Sequence, residues 1–312
     1  MKVFHRYCDI PSSALNGITL LGNFDGVHKG HQDLLAFAHD IATNEGKPLN
    51  LITFEPHPRR FFNPHIEAFR ITPMRNKIKL LSQMGVDNMF ILHFTKDLCL
   101  MNPKKFIFEV LVKGIKASHI IVGENCRFAK ERSGDINTLI KLGNLYNFAV
   151  TPFPIANNPG GDRLSSSAVR LFLRRGDIES AENILGHPWE IEGRVIKGRQ
   201  LGRTMGFPTA NIKLKGYINP RTGVYAVRVG FPNKDYTCTW HNAVANFGTR
   251  PTVNGKDLIF ESHIFNWDGD IYGKRIVIRP VEYLRPEMKI QSIEKLKQTI
   301  NEDKAWAQII LS

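Results

Sequence analysis

Two histidines three residues apart, His28 and His31, stand in the stretch LGNFDGVHKGHQDLL that runs from Leu21 to Leu35. If both lie in the first turn of a helix they share one face. An imidazole pair so placed suits phosphate chemistry. Ring N–H groups donate hydrogen bonds to phosphate oxygens as charge builds in a transition state, and neither ring has to act as a nucleophile. Gly26 and Gly30 let a bulky anion approach the backbone. The H-x-G-H spacing, with Asn23, Phe24, Asp25 and Gly26 in the turn before it, therefore reads as a nucleotidyl-transfer site.

A second constellation lies far downstream. GRVIKGRQLGRTMGFPTAN, which includes Gly198, Gly202, Arg203, Gly206, Thr209 and Asn211, is dense in glycine. Such a loop can wrap a triphosphate with backbone N–H groups. Thr209 and Asn211 offer oxygen ligands of the kind Mg²⁺ takes. Glu261, within FESHIF, is a candidate general base. Phosphoryl transfer to a hydroxyl needs these parts: a phosphate cradle, a cation and a proton acceptor. By spacing alone the same residues also fit a β-barrel with glycine turns and a surface glutamate. A third stretch, RLSSS from Arg163 to Ser167, heads a helix expected over 168–175. Serines there cap a helix, which is the reading the local pattern favours. The same hydroxyls and N–H groups can hold a phosphate, with Arg170 one turn in.

Elements must position these residues. The apolar run 18–21 reads as a buried strand, and Leu34, Leu35 and Ala38 give the following segment a helical face. Strand, turn and helix in that order bring free N–H groups and the positive end of a helix dipole to one spot. Further strands are expected at 50–54, 88–94, 119–122 and 148–152, and helices at 73–84, 103–112, 136–146 and 178–185. Their alternation predicts an α/β fold with a parallel, doubly wound sheet, the polar loops after the first, second and fourth strands sharing one end. Composition shifts at Gly186-His187-Pro188. Strands expected at 190–196, 224–229, 236–246, 258–265 and 274–284 predict a small antiparallel β-barrel. Ser292 can cap a C-terminal helix through Leu311, with Ile293, Leu296, Ile300 and Trp306 as its apolar stripe. The expected domains are 1–185 and 186–312.

Composition narrows the function classes. The chain has 312 residues, 42% hydrophobic and 23% charged, enough for two ordinary cores. Its net charge of +13 fits polyanionic substrates better than nucleic acid, because the basic groups are short, with no basic tail and no aromatic–basic repeat. Cys8, Cys99, Cys126 and Cys238 are scattered, which argues against a zinc site or a disulfide framework. No signal-peptide core and no run of membrane-spanning length is visible. The expectation is a cytoplasmic enzyme, a monomer or weak homo-oligomer, with neither nucleic acid nor membrane as partner.

Over its whole length the chain resembles the bifunctional riboflavin kinase/FMN adenylyltransferase (bacterial FAD synthetase) family. The resemblance is carried, in order, by LGNFDGVHKGH, TFEPHP, VGENCRF, RLSSSAVR, GRVIKGRQLGRTMGFPTANI, GVYAV, NFGTRPTVNG and ESHIFNWDGDIYGK. It implies a Rossmann-like nucleotidyltransferase domain that adenylylates FMN to FAD. There His28 and His31 would hold ATP phosphates, and Asn23, Phe24 and Asp25 would shape the pocket. Arg163, Ser165, Ser166 and Arg170 would form a second phosphate-binding segment, and Asn125 and Arg127 would lie at the flavin end. It also implies a riboflavin kinase barrel in which Gly198, Gly202, Arg203 and Gly206 surround ATP, Thr209 and Asn211 serve Mg²⁺, Glu261 is the base, and Arg285 lies by the flavin. Cys126 and Ala129 stand where the family usually has Phe and Gly, Ser167 where Thr is commoner, and Phe247 where Ile is usual. The substrates implied are riboflavin, FMN and ATP. The alternative is a riboflavin kinase whose first half is a degenerate nucleotidyltransferase domain.

Overall fold

A computed structural model of the chain describes residues 1–154, 164–198, 202, 205–233, 237–252, 255–290 and 292–312. It divides into two units, Met1–Glu67 with Thr72–Ser165, and Ala68–Ile71 with Ser166–Ser312.

The first unit is built on β1 (Lys2–Phe4), β2 (Ile18–Leu21), β3 (Leu49–Glu55), β4 (Asn88–His93), β5 (His119–Gly123) and β6 (Ala149–Phe153). They form one parallel sheet in the order β1-β4-β3-β2-β5-β6. Its helices are α1 (Lys29–Asn44), α2 (Pro58–Phe62), α3 (Met74–Gln83), α4 (Lys96–Leu100), α5 (Pro103–Phe106) and α6 (Ile136–Tyr146). The central strands are buried on both faces, so their sequences are continuous apolar runs rather than alternating ones. Alternate residues still part to opposite sides. Leu20, Leu51 and Met89 pack with Leu34, Leu35 and Ala38 of α1, while Leu21, Ile52 and Phe90 pack with Ile107, Leu111 and Leu139. The chain moves outward through β2, β3 and β4 on one side and through β5 and β6 on the other. The order thus reverses between β2 and β5, and the crevice for ligands in such sheets opens at the carboxyl ends of strands flanking the reversal.

The expected elements are all present, with α6 matching to the residue. Several features were not expected, among them the short helices α2 and α4. Strand β1 adds parallel to β4 at the sheet edge. The helix expected over 103–112 becomes π-helical over Ile107–Gly114, and these wide turns keep Ile107, Val110 and Leu111 buried.

The second unit holds β7 (Ile191–Arg194), β8 (Ala210–Lys213), β9 (Gly223–Pro232), β10 (Cys238–Thr252), β11 (Gly255–Ile264) and β12 (Arg275–Arg285). They form an antiparallel sheet in the order β7-β12-β9-β10-β11-β8. A bridge between Ile196 and Asn211 brings its two ends together, so the barrel is nearly closed. Tyr225, Phe247, Phe260 and Ile278 are fully enclosed, and the rings of Phe247 and Phe260 stack at 4.7 Å. The unit also holds α7 (Ser166–Arg175), α8 (Ile178–Leu185) and the C-terminal α9 (Ile293–Leu311).

Two sequence expectations need correction here. Strand β8 was not foreseen, being four residues long with polar Asn211 and Lys213 in alternation. Of the apolar stripe expected on α9, Leu296 and Ile300 are partly buried and line the barrel's cavity, but its two ends are not on the buried face. Ile293 is 62% and Trp306 46% exposed, and the side turned inward is Thr299, Asp303, Ala307 and Leu311. The physical reason is an ion pair. Arg285 donates from Nε and Nη2 to the two carboxylate oxygens of Asp303, both at 2.7 Å, which turns a charged residue toward the barrel. Removing one partner of such a buried pair is far costlier than trimming an exposed ring. Asp303→Ala should cost about 3 kcal/mol, and Trp306→Ala less than about 0.5 kcal/mol, as read from denaturant midpoints. Equal effects would contradict this orientation of α9.

Candidate functional site

The first candidate site is the turn from β2 into α1. His28 is the residue before the helix, extended at ψ 168°, and its ring makes no capping bond. The cap is left to backbone: the His28 carbonyl accepts from the amides of His31 at 2.7 Å and Gln32 at 3.0 Å. The two rings stack on each other at 3.7 Å between centroids, with Phe24 at 4.9 Å from His31.

The turn itself is strained. Phe24, Gly26 and Val27 all have positive φ, at 47°, 88° and 43°. Gly26 adopts this freely, but for a bulky or β-branched residue the conformation persists only where the surroundings impose it. They do so from two sides. The Asp25 carboxylate accepts from the Thr72 amide at 3.1 Å, and the Thr72 hydroxyl accepts from the Gly26 amide at 2.9 Å. The Asn23 carbonyl accepts from Lys77 Nζ at 2.5 Å. Asp25 is therefore an anchor of the turn. Gly30 is an ordinary helical residue: a Cβ there would meet the His28 ring at 3.5 Å and Leu164 at 3.6 Å. Its expected part in backbone approach is thus not a conformational one; its lack of a side chain keeps space beside the rings.

Burial holds the His31 imidazole well below its ordinary value, helped by His28 and then by the positive charge of Lys77. It is neutral, and its buried Nδ1 has no hydrogen-bond partner among the described residues. Buried polar atoms left unpaired are uncommon and mark a place for a ligand.

The other expected residues of this half are placed as follows. Ser165 directly precedes α7 and Ser166 begins it. Arg170, on α7, is buried; its Nε donates to the Phe69 carbonyl at 2.8 Å and its guanidinium lies 5.6 Å from the Phe69 ring centre. Arg163 lies outside the described residues. Asn125 and Arg127 are exposed in the loop after β5, and Arg127 Nη1 donates to the Cys126 carbonyl at 3.1 Å. Burial pushes the Cys126 thiol up to about 11. Lys77 and Thr72 were missed by sequence reasoning. The available signal was a lysine on the face of α3 that also buries Leu81, four residues on.

The second candidate site is a cavity of about 840 Å³ on the barrel, which Gly198, Gly202, Thr209, Asn211, Glu261 and Arg285 all line. Strand register explains the meeting. Glu261 on β11 stands opposite Asn211 on β8 and opposite Asn246 on β10. Directly opposed residues have Cβ atoms about 5 Å apart. Asn211, Glu261 and Asn246 thus form one polar row across three strands. A Cβ on Gly198 would come within 2.8 Å of Asn211 Nδ2, so glycine is required for the close approach. Thr209 Oγ1 lies 3.4 Å from Asn211 Nδ2. His263, two residues past Glu261, is kept below its ordinary value by burial and lies 3.0 Å from the Pro208 carbonyl through Nδ1, which must donate.

Arg285 reaches the cavity with its guanidinium held by Asp303 and by the Pro286 carbonyl at 2.9 Å. Gly206 sits in a turn at φ 90° and does not line the cavity, and Arg203 lies outside the described residues. Asn246 was missed, because only the register reveals it; its Nδ2 donates to Glu287 at 2.9 Å and its buried Oδ1 has no partner. Among the described residues no group of three or more His, Cys, Asp or Glu could hold a metal alone. Two neutral oxygen donors beside one carboxylate do fit Mg²⁺, which takes few protein ligands and fills its shell with phosphates and water.

Comparison with known proteins follows the same division. The family model for FAD synthetase matches residues 11–168, and that for riboflavin kinase matches residues 185–311. The chain is 36% identical to the bifunctional riboflavin kinase/FMN adenylyltransferase of Escherichia coli K12, over 99% of this chain and 97% of that protein. It is 35% identical to the protein of the same name from Haemophilus influenzae, over 93% and 92%. A solved structure of a macrolide-efflux protein from Streptococcus pneumoniae shares the fold over 99% of both chains, with TM-score 0.86 at 26% identity. Among the described residues, no helix is long and apolar enough to cross a membrane.

The neutral His31 gives a pH dependence of known sign. Unfolded, it takes a proton near its ordinary value of 6.5; folded, only well below that. Between the two values the unfolded chain binds more protons, so stability is lost as pH falls below about 6.5. The drop in melting temperature from pH 7.5 to pH 5 should be smaller in His31→Gln than in the wild type. An identical drop would mean His31 titrates alike in both states.

Proposed function

The chain belongs to the bifunctional riboflavin kinase/FMN adenylyltransferase family, and from that premise we propose how its residues divide the two reactions. The enzyme phosphorylates riboflavin to FMN with ATP, then transfers an adenylyl group from a second ATP to FMN, giving FAD and pyrophosphate. The kinase-only alternative is set aside, because the FAD synthetase model matches the first half and the bifunctional relatives match the full length. We take the functional boundary as 185/186, where the riboflavin kinase match begins.

In the kinase, Glu261 takes the proton from the 5′ hydroxyl of the ribityl chain. The hydroxyl oxygen attacks the γ-phosphorus of ATP, and the bond to the β–γ bridging oxygen breaks to leave ADP. The observation that supports this most is the row Asn211–Glu261–Asn246, which puts a carboxylate beside the amide expected at the cation. Thr209 and Asn211 would hold Mg²⁺, which neutralises charge on the phosphates. Gly198 and Gly202 leave room for the nucleotide, Gly206 and Arg203 are assigned to its phosphates, and Arg285 forms the wall against the flavin.

In the adenylyltransferase, an FMN phosphate oxygen attacks the α-phosphorus of ATP and pyrophosphate leaves. His28 and His31 donate hydrogen bonds to the phosphates as charge shifts. Ser165, Ser166, Arg170 and Arg163 are assigned to the phosphates, and Asn125 and Arg127 to the flavin. Positioning and charge stabilisation suffice, with no covalent enzyme intermediate. The four cysteines are free thiols, as in a reducing compartment, and we place the reaction in the cytoplasm.

Separate variants should separate the reactions. Glu261→Gln should lower FMN formation from riboflavin by about 10²-fold or more and leave FAD formation from added FMN unchanged. His31→Ala should lower FAD formation from FMN by about 10²-fold and leave FMN formation unchanged. Chromatography of flavins made with ATP and Mg²⁺ reads both. Loss of both activities in either variant would overturn the assignment of two independent sites.

A further inference from the structure

We infer that Lys77 is a positioning residue for adenylyl transfer, its buried ammonium pinning the Asn23 carbonyl and so holding the turn that presents His28 and His31. The inference rests on the adenylyltransferase reading of that turn.

Lys77 is 5% exposed. An ammonium in that setting is costly unless it is paired, and an apolar side chain on the inward face of α3 would avoid the cost. The charge is therefore held for something it does. Its Nζ donates to the Asn23 carbonyl at 2.5 Å, and Thr53 Oγ1 reaches the same oxygen at 3.4 Å. That carbonyl immediately precedes Phe24, the first left-handed residue of the turn. Thr72 fixes the other side through Asp25 and Gly26. Between these two clamps the Phe24 ring is set against His31, and His31 against His28. Release of the Asn23 carbonyl frees the turn to relax toward ordinary φ, carrying Phe24 away from the imidazoles.

Lys77 also acts through its charge. The groups whose charge bears on His31 are His28, stacked on it, and Lys77. Both disfavour a second positive charge on the ring, after burial has already done so. His31 thus stays a neutral donor, and the positive charge of the turn resides on Lys77. A phosphate entering here finds the Lys77 charge held in place and an uncharged N–H donor in His31.

The test uses the full chain with Lys77→Met, Lys77→Gln and Lys77→Arg. FAD formation from added FMN is measured, with riboflavin phosphorylation by the same preparations as the reference. Lys77→Met should lower kcat for FAD formation by about 10²-fold, with KM for ATP changed less than about threefold. Lys77→Gln can still donate to the carbonyl and should recover part of the loss; Lys77→Arg keeps the charge and should recover more. NMR of ring-labelled histidine should show the His31 titration moving upward in both uncharged variants. If Lys77→Met does not fold, Lys77→Gln alone is read by the same measures. FAD formation within twofold of wild type, or an unmoved His31 titration, overturns the inference. A wild-type chain that makes no FAD would instead overturn the reading of the turn, and the His31 titration in Lys77→Gln would then decide the role of Lys77.

Discussion

The turn between β2 and α1 cannot hold its own shape. Three of its four central residues, Phe24, Gly26 and Val27, lie in the left-handed region, and only one of them is glycine. Much of what holds this turn comes from residues distant in sequence, while Gln32 adds a local bond from its Nε2 to the Val27 carbonyl at 2.8 Å. Thr72 ties down Asp25 and Gly26, and Lys77 ties down the Asn23 carbonyl. Both lie at or in α3, which crosses back over the sheet after β3 and packs Leu81 into the same cluster as Leu34 and Leu35 of α1. The parallel sheet thus brings a helix to the place where a local turn needs outside support. Without that packing the histidine pair would be two residues in a loop.

The barrel solves a related problem by register. No single stretch contains the polar row proposed for the kinase; Asn211, Glu261 and Asn246 meet because β8, β11 and β10 are adjacent and aligned. A slip of one residue in either pairing would send Glu261 to the interior face with Phe260 and Ser262, both fully buried. The stacked rings of Phe247 and Phe260 lie on that interior face and resist such a slip. Core packing therefore sets catalytic geometry.

This contrast explains what could be read from the chain directly. Helices α6 and α8 were found to the residue because their ends are written locally. Asp135 and Asp177 cap the starts, and Asn147 and Gly186 take left-handed conformations at the ends. The apolar runs of the parallel strands were legible for the same reason, since burial on both faces leaves no alternation to confuse. The histidine pair and the glycine-rich loop stood out by residue type and spacing, and their chemistry is the proposed assignment. What was not legible depended on partners distant in sequence. Strand β8 is too short and polar to stand out. The inward face of α9 follows from Arg285 seeking Asp303, and no hydrophobic pattern encodes that. Lys77 and Asn246 matter only through what they touch.

On the proposed assignment, the two sites differ in kind because their nucleophiles do. A ribityl hydroxyl holds its proton at neutral pH and attacks a phosphorus well only as the proton leaves. The barrel accordingly presents a carboxylate in its polar row. The phosphate of FMN is already ionised and has no proton that must be removed. A general base there would be idle, and a carboxylate facing two polyanions would repel both. The turn after β2 instead turns its one carboxylate, Asp25, toward Thr72, and keeps His31 neutral beside His28. A neutral imidazole donates through one ring N–H, and its burial in a dry turn strengthens the bond it makes. The protonation demand of each nucleophile thus accounts for which side chains each unit exposes, and for why a carboxylate stands in one pocket and is withdrawn in the other.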